Sequence, residues 1–190
     1  MKVSYNWLQN YVSCQLDPKE LADKLTMVEI AAEEVEYLGA NLDKVVTGKI
    51  MSKIKHPNAD RLSICKVDIG EEEYLNIVTG ATNIEVGDIV PVATNGAILP
   101  NGVKIKKSKL RGEPSEGMMC SAQELCLDLK GLPPEQQNGI LILPPDTPIG
   151  QDVRKVLDLD DTVITFELTA NRGDCLSMVG IAREVAALTG

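Results

Sequence analysis

VVTGKIMSKIKHPNADRLSICKVDIG, residues 45–70, decides the fold. Its apolar residues recur with a period of two on both sides of a polar, proline-bearing centre, which is the pattern of two strands joined by a turn. Further strands follow at YLNIVTGA (74–81) and DIVPVATNG (88–96), each separated from the last by turn chemistry. In the second run Leu62, Ile64, Val67 and Ile69 cannot all share one face of a flat strand, and the parity shift predicts a bulge near Cys65–Lys66. Val103–Lys106 reads as another short strand, QELCLDL (123–129) as a short helix or turn, and GILILPP (139–145) as the run that closes the module. Short strands at such close spacing predict a small closed antiparallel barrel over about 40–150.

The flanks carry a different pattern. DPKELADKL (17–25) predicts a short helix, with Asp17 as cap, Pro18 in the first turn and Glu20 at the capping-box position. VEIAAEEVEYLG (28–39) is ambiguous between helix and strand, and its end tilts toward strand. Past the Pro-rich joint LPPDTPIG (143–150), VITFELT (163–169) reads as a strand and TANRGDCLS as a polar turn. LSMVGIAREVAALTG (176–190) reads as a helix with Leu176, Val179, Ala182, Val185, Ala186 and Leu188 on its apolar face. A chain that stops at such a helix end looks like a trimmed piece. The fold class expected is therefore α+β, with a barrel set between 1–39 and 151–190.

Composition narrows the function. The 190 residues are 44% hydrophobic and 25% charged, which suits one or two domains with a proper core. No apolar run approaches the roughly 20 residues that span a bilayer, and MKVSYNWLQNYV is not a signal peptide, so no membrane partner is expected. The five cysteines are odd in number and form no CxxC pair, which points to structural thiols in a reduced, cytoplasmic protein rather than to a metal site. Net charge is −9, yet residues 40–112 carry +3 and the remainder −12. A mildly basic module in an acidic surround is more telling than the total.

There is no phosphate-binding GxxxxGK[ST] loop and no dinucleotide fingerprint. The only histidine, His56, could serve a hydrolase as general base. No nucleophile with a supporting context accompanies it, so it reads as a turn residue bonded to backbone, with Pro57 fixing the bend. The paired carboxylates Glu33–Glu34, Glu71–Glu73 and Asp160–Asp161 read as solvated faces. Lys104, Lys106, Lys107, Lys109 and Arg111 are the denser signal, and Lys49, Lys53 and Lys55 share a parity. Such a set can track phosphates or merely guard a strand edge. With Tyr74 the sole aromatic in the module, stacking on single strands is poor, and backbone or shape recognition of structured RNA fits better.

The stretches 56–70, NIVTGATNIEVGDIVPVATNGAILPNG (76–102), KLRGEPSEGMMCSAQELCL (109–127) and TANRGDCLSMVGIAREVAALTG (169–190), with the opening MKVSYNWLQNYV, resemble the N-terminal part of bacterial phenylalanyl-tRNA synthetase beta subunits. The resemblance implies that 40–150 is a tRNA-binding OB-fold domain inserted into a discontinuous α+β domain, 1–39 with 151–190. Its His-Pro, Ala-Asp and Ser-x-Gly-Met patterns appear at His56-Pro57, Ala59-Asp60 and Ser115, Gly117-Met118. It further implies RNA contact by Lys53, Lys55, His56, Asn58, Arg61, Lys104, Lys106, Lys107, Lys109, Arg111 and Ser115, with His56 shaping its loop or donating to a phosphate. By the same resemblance the parent enzyme uses ATP and magnesium and assembles as two alpha and two beta subunits. Its aminoacylation and editing sites lie outside this chain, which should hold no catalytic residue, cofactor or metal. A free-standing tRNA-binding or chaperone-like OB-fold protein is the alternative.

Overall fold

A computed structural model describes residues 1–190. The chain begins with β1 (Lys2–Ser4), α1 (Tyr5–Leu8), α2 (Pro18–Thr26) and β2 (Ala31–Tyr37). Next come β3 (Val45–Lys55), β4 (Ser63–Asp68), β5 (Leu75–Thr79), β6 (Ile89–Thr94), β7 (Ser108–Leu110), β8 (Glu113–Ser115) and β9 (Gly117–Met119). It ends with α3 (Pro134–Gln137), α4 (Val153–Val156), β10 (Thr162–Glu167), a 3-10 turn (Gly173–Cys175) and α5 (Met178–Thr189). These elements form two compact units, Met1–Gly39 with Asp158–Gly190, and Ala40–Leu157. The class is α+β. No helix is long and apolar enough to cross a membrane.

The first unit is a three-stranded antiparallel sheet, β1-β10-β2, with α2 packed on it and α5 packed against α1 and α2. Pairing with β10 settles the ambiguous segment as strand, and its edge position leaves Glu33, Glu34 and Glu36 in solvent. Asp17 caps α2 by accepting from the Lys19 N–H at 2.8 Å. Phe166, the only phenylalanine, lies buried with Val3, Leu21, Leu25, Ile164, Ile181 and Val185. Each such side chain is worth about 1.5–3 kcal/mol. Two expectations change. The buried face of α5 is Met178, Ile181, Ala182 and Val185, while Leu176 and Val179 are exposed. Ser177 caps the helix by accepting from the Gly180 N–H. Asp161 is no solvated face either. Its carboxylate accepts from Ser4 Oγ at 2.5 Å and from the Asn6 N–H at 3.0 Å, anchoring the first turn of α1.

The second unit is a nearly closed antiparallel barrel of five strands, order β5-β4-β3-β6-β9. The Glu116 N–H donates to the Asn76 carbonyl at 2.8 Å, and the Val78 N–H to Ser115 Oγ at 3.2 Å, which brings β5 to the β8–β9 segment. Ile50, Cys65, Val67, Ile77, Ile84, Val90, Val92 and Met119 fill it. The bulge lies on β3 and not on β4. The register skips Met51, so Ile50 faces Val67 while Ser52 faces Lys66. Strand β4 keeps its alternation by burying Cys65, Val67 and Ile69, and half-buried Ile64 turns to the other side, because a thiol packs as a small hydrophobe.

Residues 103–106 form no strand. Lys104 makes one bridge to Ile98, and buried Ile105 bonds Ala97 and Gly96 through its backbone. The 139–145 run closes the barrel by single bridges, Ile140 to Ser121 and Leu143 to Ile89, and of 123–129 only 123–126 are turn. Residues 151–157, grouped by sequence with the flank, lie in the barrel unit. Fully buried Thr47 holds them, its hydroxyl donating to the Pro148 carbonyl at 2.6 Å and accepting from the Gln151 N–H at 3.0 Å.

Candidate nucleic-acid interface

The β7–β8 hairpin carries the end of the basic run. Leu110 pairs with Glu113, so Arg111 and Gly112 form a two-residue turn, with φ of 52° and 98°. Positive φ at both positions is the twist-matched hairpin turn that ordinarily takes Asn-Gly. Arginine there sits in the left-handed region at a cost of about 1 kcal/mol.

His56 reaches this hairpin. The residue is buried, 4% exposed. Its Nδ1 accepts from the Asn58 N–H at 3.0 Å, so the proton rides on Nε2, which donates to the Leu110 carbonyl at 3.1 Å. The His56 N–H donates to the Leu62 carbonyl, closing the 56–62 loop. With both ring nitrogens engaged, His56 fastens two segments and has no donor left for a phosphate. The bond brings Arg61 and Arg111 to one cleft of about 510 Å³, lined also by Asn58, Ala59, Asp60 and Leu62.

The other sequence candidates separate by their partners. Lys55, Lys104, Lys106 and Lys109 are exposed and form no ion pair, as are Arg61 and Arg111. Lys53 does not belong with them. The Met51 bulge reverses the alternation, so Lys53 stands opposite buried Cys65, and its ammonium donates to the Ile84 carbonyl at 2.8 Å. Lys49, opposite Asp68, therefore shares no face with it. Lys107 is tied to Glu116 at 2.9 Å. That bond raises the Lys107 pKa and, aided by the Asn76 N–H, holds the Glu116 carboxyl below its ordinary range. Ser115 is buried, and its hydroxyl accepts from Val78 and donates to the Gly117 carbonyl, so it serves the barrel. Glu116 and the Leu110 carbonyl escaped the sequence reading, because neither neutralisation nor a backbone acceptor has a residue pattern.

Two other places are poorer candidates for a polyanion. The larger cleft, about 620 Å³ between Val78–Asn83 and Pro134–Ile140, carries Glu124 and Glu135 and no lysine or arginine. Asp174, Cys175 and Glu184 bring ligand-type atoms within 4.8 Å of one another. The Arg172 guanidinium already bonds Asp174 at 3.1 Å and Glu184 at 2.8 Å, and burial pushes the Cys175 thiol up to about 11.

Residues 45–152 match the family described as "Putative tRNA binding domain". The chain belongs to this family. Over all 190 residues it is also 54% identical to the phenylalanine–tRNA ligase beta subunits of Clostridium tetani and of Moorella thermoacetica, covering 23% of each relative's length. The chain thus spans about a quarter of the curated relatives it matches. Among solved structures, the C-terminal domain of Plasmodium vivax p43 is similar over 56% of each chain, with 23% identity and a TM-score of 0.39.

Proposed function

We propose that this chain is the N-terminal, non-catalytic part of a phenylalanine–tRNA ligase beta subunit, and that its barrel meets tRNA along the hairpin and the 56–62 loop. The observation that carries this is identity of 54% running through both units and not only through residues 45–152. A free-standing tRNA-binding protein needs the barrel alone, so the alternative leaves 1–39 and 158–190 without a reason to match. On this reading the barrel is an insertion in a domain made of the two flanks, and the parent works in the cytoplasm. Its partners are the rest of the beta subunit and an alpha subunit, in an assembly of two of each. ATP and magnesium belong to the parent's chemistry and not to this piece.

The RNA-facing residues proposed are Lys55, Asn58, Arg61, Lys104, Lys106, Lys109 and Arg111. Six of these are unpaired cations, and each phosphate they neutralise adds roughly 0.7–0.9 to the slope of log K against log salt. Titration of the chain with bulk folded tRNA between 50 and 200 mM salt, values spanning a steep part of that dependence, tests the reading. A slope near −4, flattened in Lys106→Glu/Lys109→Glu, is expected. Absence of salt-dependent binding refutes it.

A further inference from the structure

We infer that the Arg61–Arg111 cleft is a subsite for one phosphodiester of the RNA backbone, and that His56 is the positioning residue that assembles it. The inference rests on the tRNA reading for its ligand and adds where and how a phosphate is held.

Three observations carry it. The two guanidinium-bearing residues come from separate segments, the 56–62 loop and the β7–β8 turn, yet line one cleft. Neither forms an ion pair, although Asp60 lines the same cleft. Guanidinium forks match phosphate oxygens two at a time, so two of them around one anion form a clamp, which Asp60 weakens without cancelling. Second, Arg111 occupies a left-handed position at which asparagine or glycine would be relaxed. A strained residue kept at a cleft is a cost that folding does not explain. Third, what couples the segments is one buried side chain. His56 accepts from Asn58 within the loop and donates to Leu110, the residue before Arg111. Remove that ring and each arginine keeps its charge, but the distance between them is no longer fixed. The phosphate is the shared chemistry. A free phosphate or nucleotide would offer the same oxygens without neighbours for Lys106 and Lys109.

The test is a double-mutant cycle on tRNA affinity at low salt. Arg61→Ala and Arg111→Asn should each weaken binding about tenfold. Together they should weaken it by clearly less than a hundredfold, because both lose the same phosphate. Arg111→Asn should leave the thermal midpoint equal or higher, so its loss of affinity cannot be charged to unfolding. In a His56→Ala background the two effects should become independent and smaller, whereas a merely structural histidine would leave their coupling unchanged. His56→Gln, which can still donate toward Leu110, should restore part of the coupling and guards against a variant that fails to fold. Inorganic phosphate and a nucleoside monophosphate should compete only at high concentration. Competition by either at the strength of tRNA overturns the assignment to RNA. Normal tRNA binding with no effect of the arginine variants overturns the cleft alone and leaves the tRNA reading standing. Loss of all tRNA binding in the unaltered chain overturns both.

Discussion

Gly48 sits in the middle of β3, the central strand of the barrel, and the space around it sets a measurable limit. A Cβ added there would stand 2.8 Å from Val67 Cγ1, 2.8 Å from Val92 Cγ2 and 3.1 Å from Ile69 Cγ2. Carbon atoms prefer about 3.5–4.0 Å, so each valine methyl would have to retreat by roughly 0.7 Å. Valine is stiff at χ1, and both valines are held by strand pairing, so the strands themselves must shift. Overpacking of this kind costs about 1–3 kcal/mol, offset by about 0.5–1 kcal/mol from the lost freedom of glycine in the unfolded chain. Gly48→Ala should therefore destabilise the barrel by about 1–2 kcal/mol. Val92→Ala alone should cost about 1.5–3 kcal/mol for its two buried methyls. The pair should be less damaging than the sum by about 1 kcal/mol, since the new methyl fills part of the space vacated. Urea unfolding followed by far-ultraviolet circular dichroism reads these changes as midpoint shifts of about 0.5–1 M. Amide exchange over β3, β4 and β6 localises them, and Trp7, in the other unit, supplies a fluorescence control. A Gly48→Ala protein as stable as its parent, or strict additivity with Val92→Ala, refutes the packing argument.

Gly180 poses the opposite sign question. Alanine in a helix interior gains about 0.8–1 kcal/mol over glycine, but here the added Cβ lands on the Asp174 backbone carbonyl, which cannot rotate away. Gly180→Ala should lower the thermal midpoint followed by Trp7 fluorescence, and a rise refutes this account. The Arg172 guanidinium holds the Asp174 carboxyl at about 2, below its ordinary 3.8. A depressed acid stabilises above its unfolded value and loses that contribution as pH falls, here between about 4 and 2. The midpoint gap between the parent and Asp174→Asn should shrink over that window, and a pH-independent gap refutes the pairing. Glu116→Gln should release Lys107, raise tRNA affinity several-fold at low salt and steepen the salt slope by roughly 0.7–0.9. Unchanged affinity would mean that Lys107 does not face the RNA.

The strands of the barrel were legible because alternation is a local signal. β3, β4, β5 and β6 lie inside the runs expected for them. What escaped notice depends on partners. The parity conflict at 62–69 showed that an irregularity existed, but its location on β3 is a property of the pair, since a bulge shifts register whichever strand carries it. The same bulge put Lys49 on the opposite face from Lys53 and Lys55, a change that counting along β3 could not reveal. On α5 the apolar residues were visible, but which stripe is buried depends on the α1 and α2 surfaces it packs against. For the candidate site, sequence located the cations and the histidine. It could not show that the ring ties residue 56 to residue 110, because that contact depends on a hairpin far along the chain.

The basic excess of residues 40–112 also changes meaning once the folding unit is known. Extended to its full span, 40–157, the barrel unit has a net charge of −1. Affinity for a polyanion then cannot come from a bulk field, which for a nearly neutral body is weak and is screened within about 8–10 Å at moderate salt. It has to come from local cations whose own counter-charges are elsewhere. Lys107 fails that condition, since Glu116 already occupies it, and the Lys53 ammonium is taken up by the Ile84 carbonyl. Arg61 and Arg111 form no ion pair, although Asp60 lines their cleft, and the bond from His56 to the Leu110 carbonyl links the segments that carry them. Counter-ion release counts contacts and not net charge. An acidic chain with a few well-placed, unpaired cations can therefore bind RNA with a steep salt dependence while its total charge argues against binding at all.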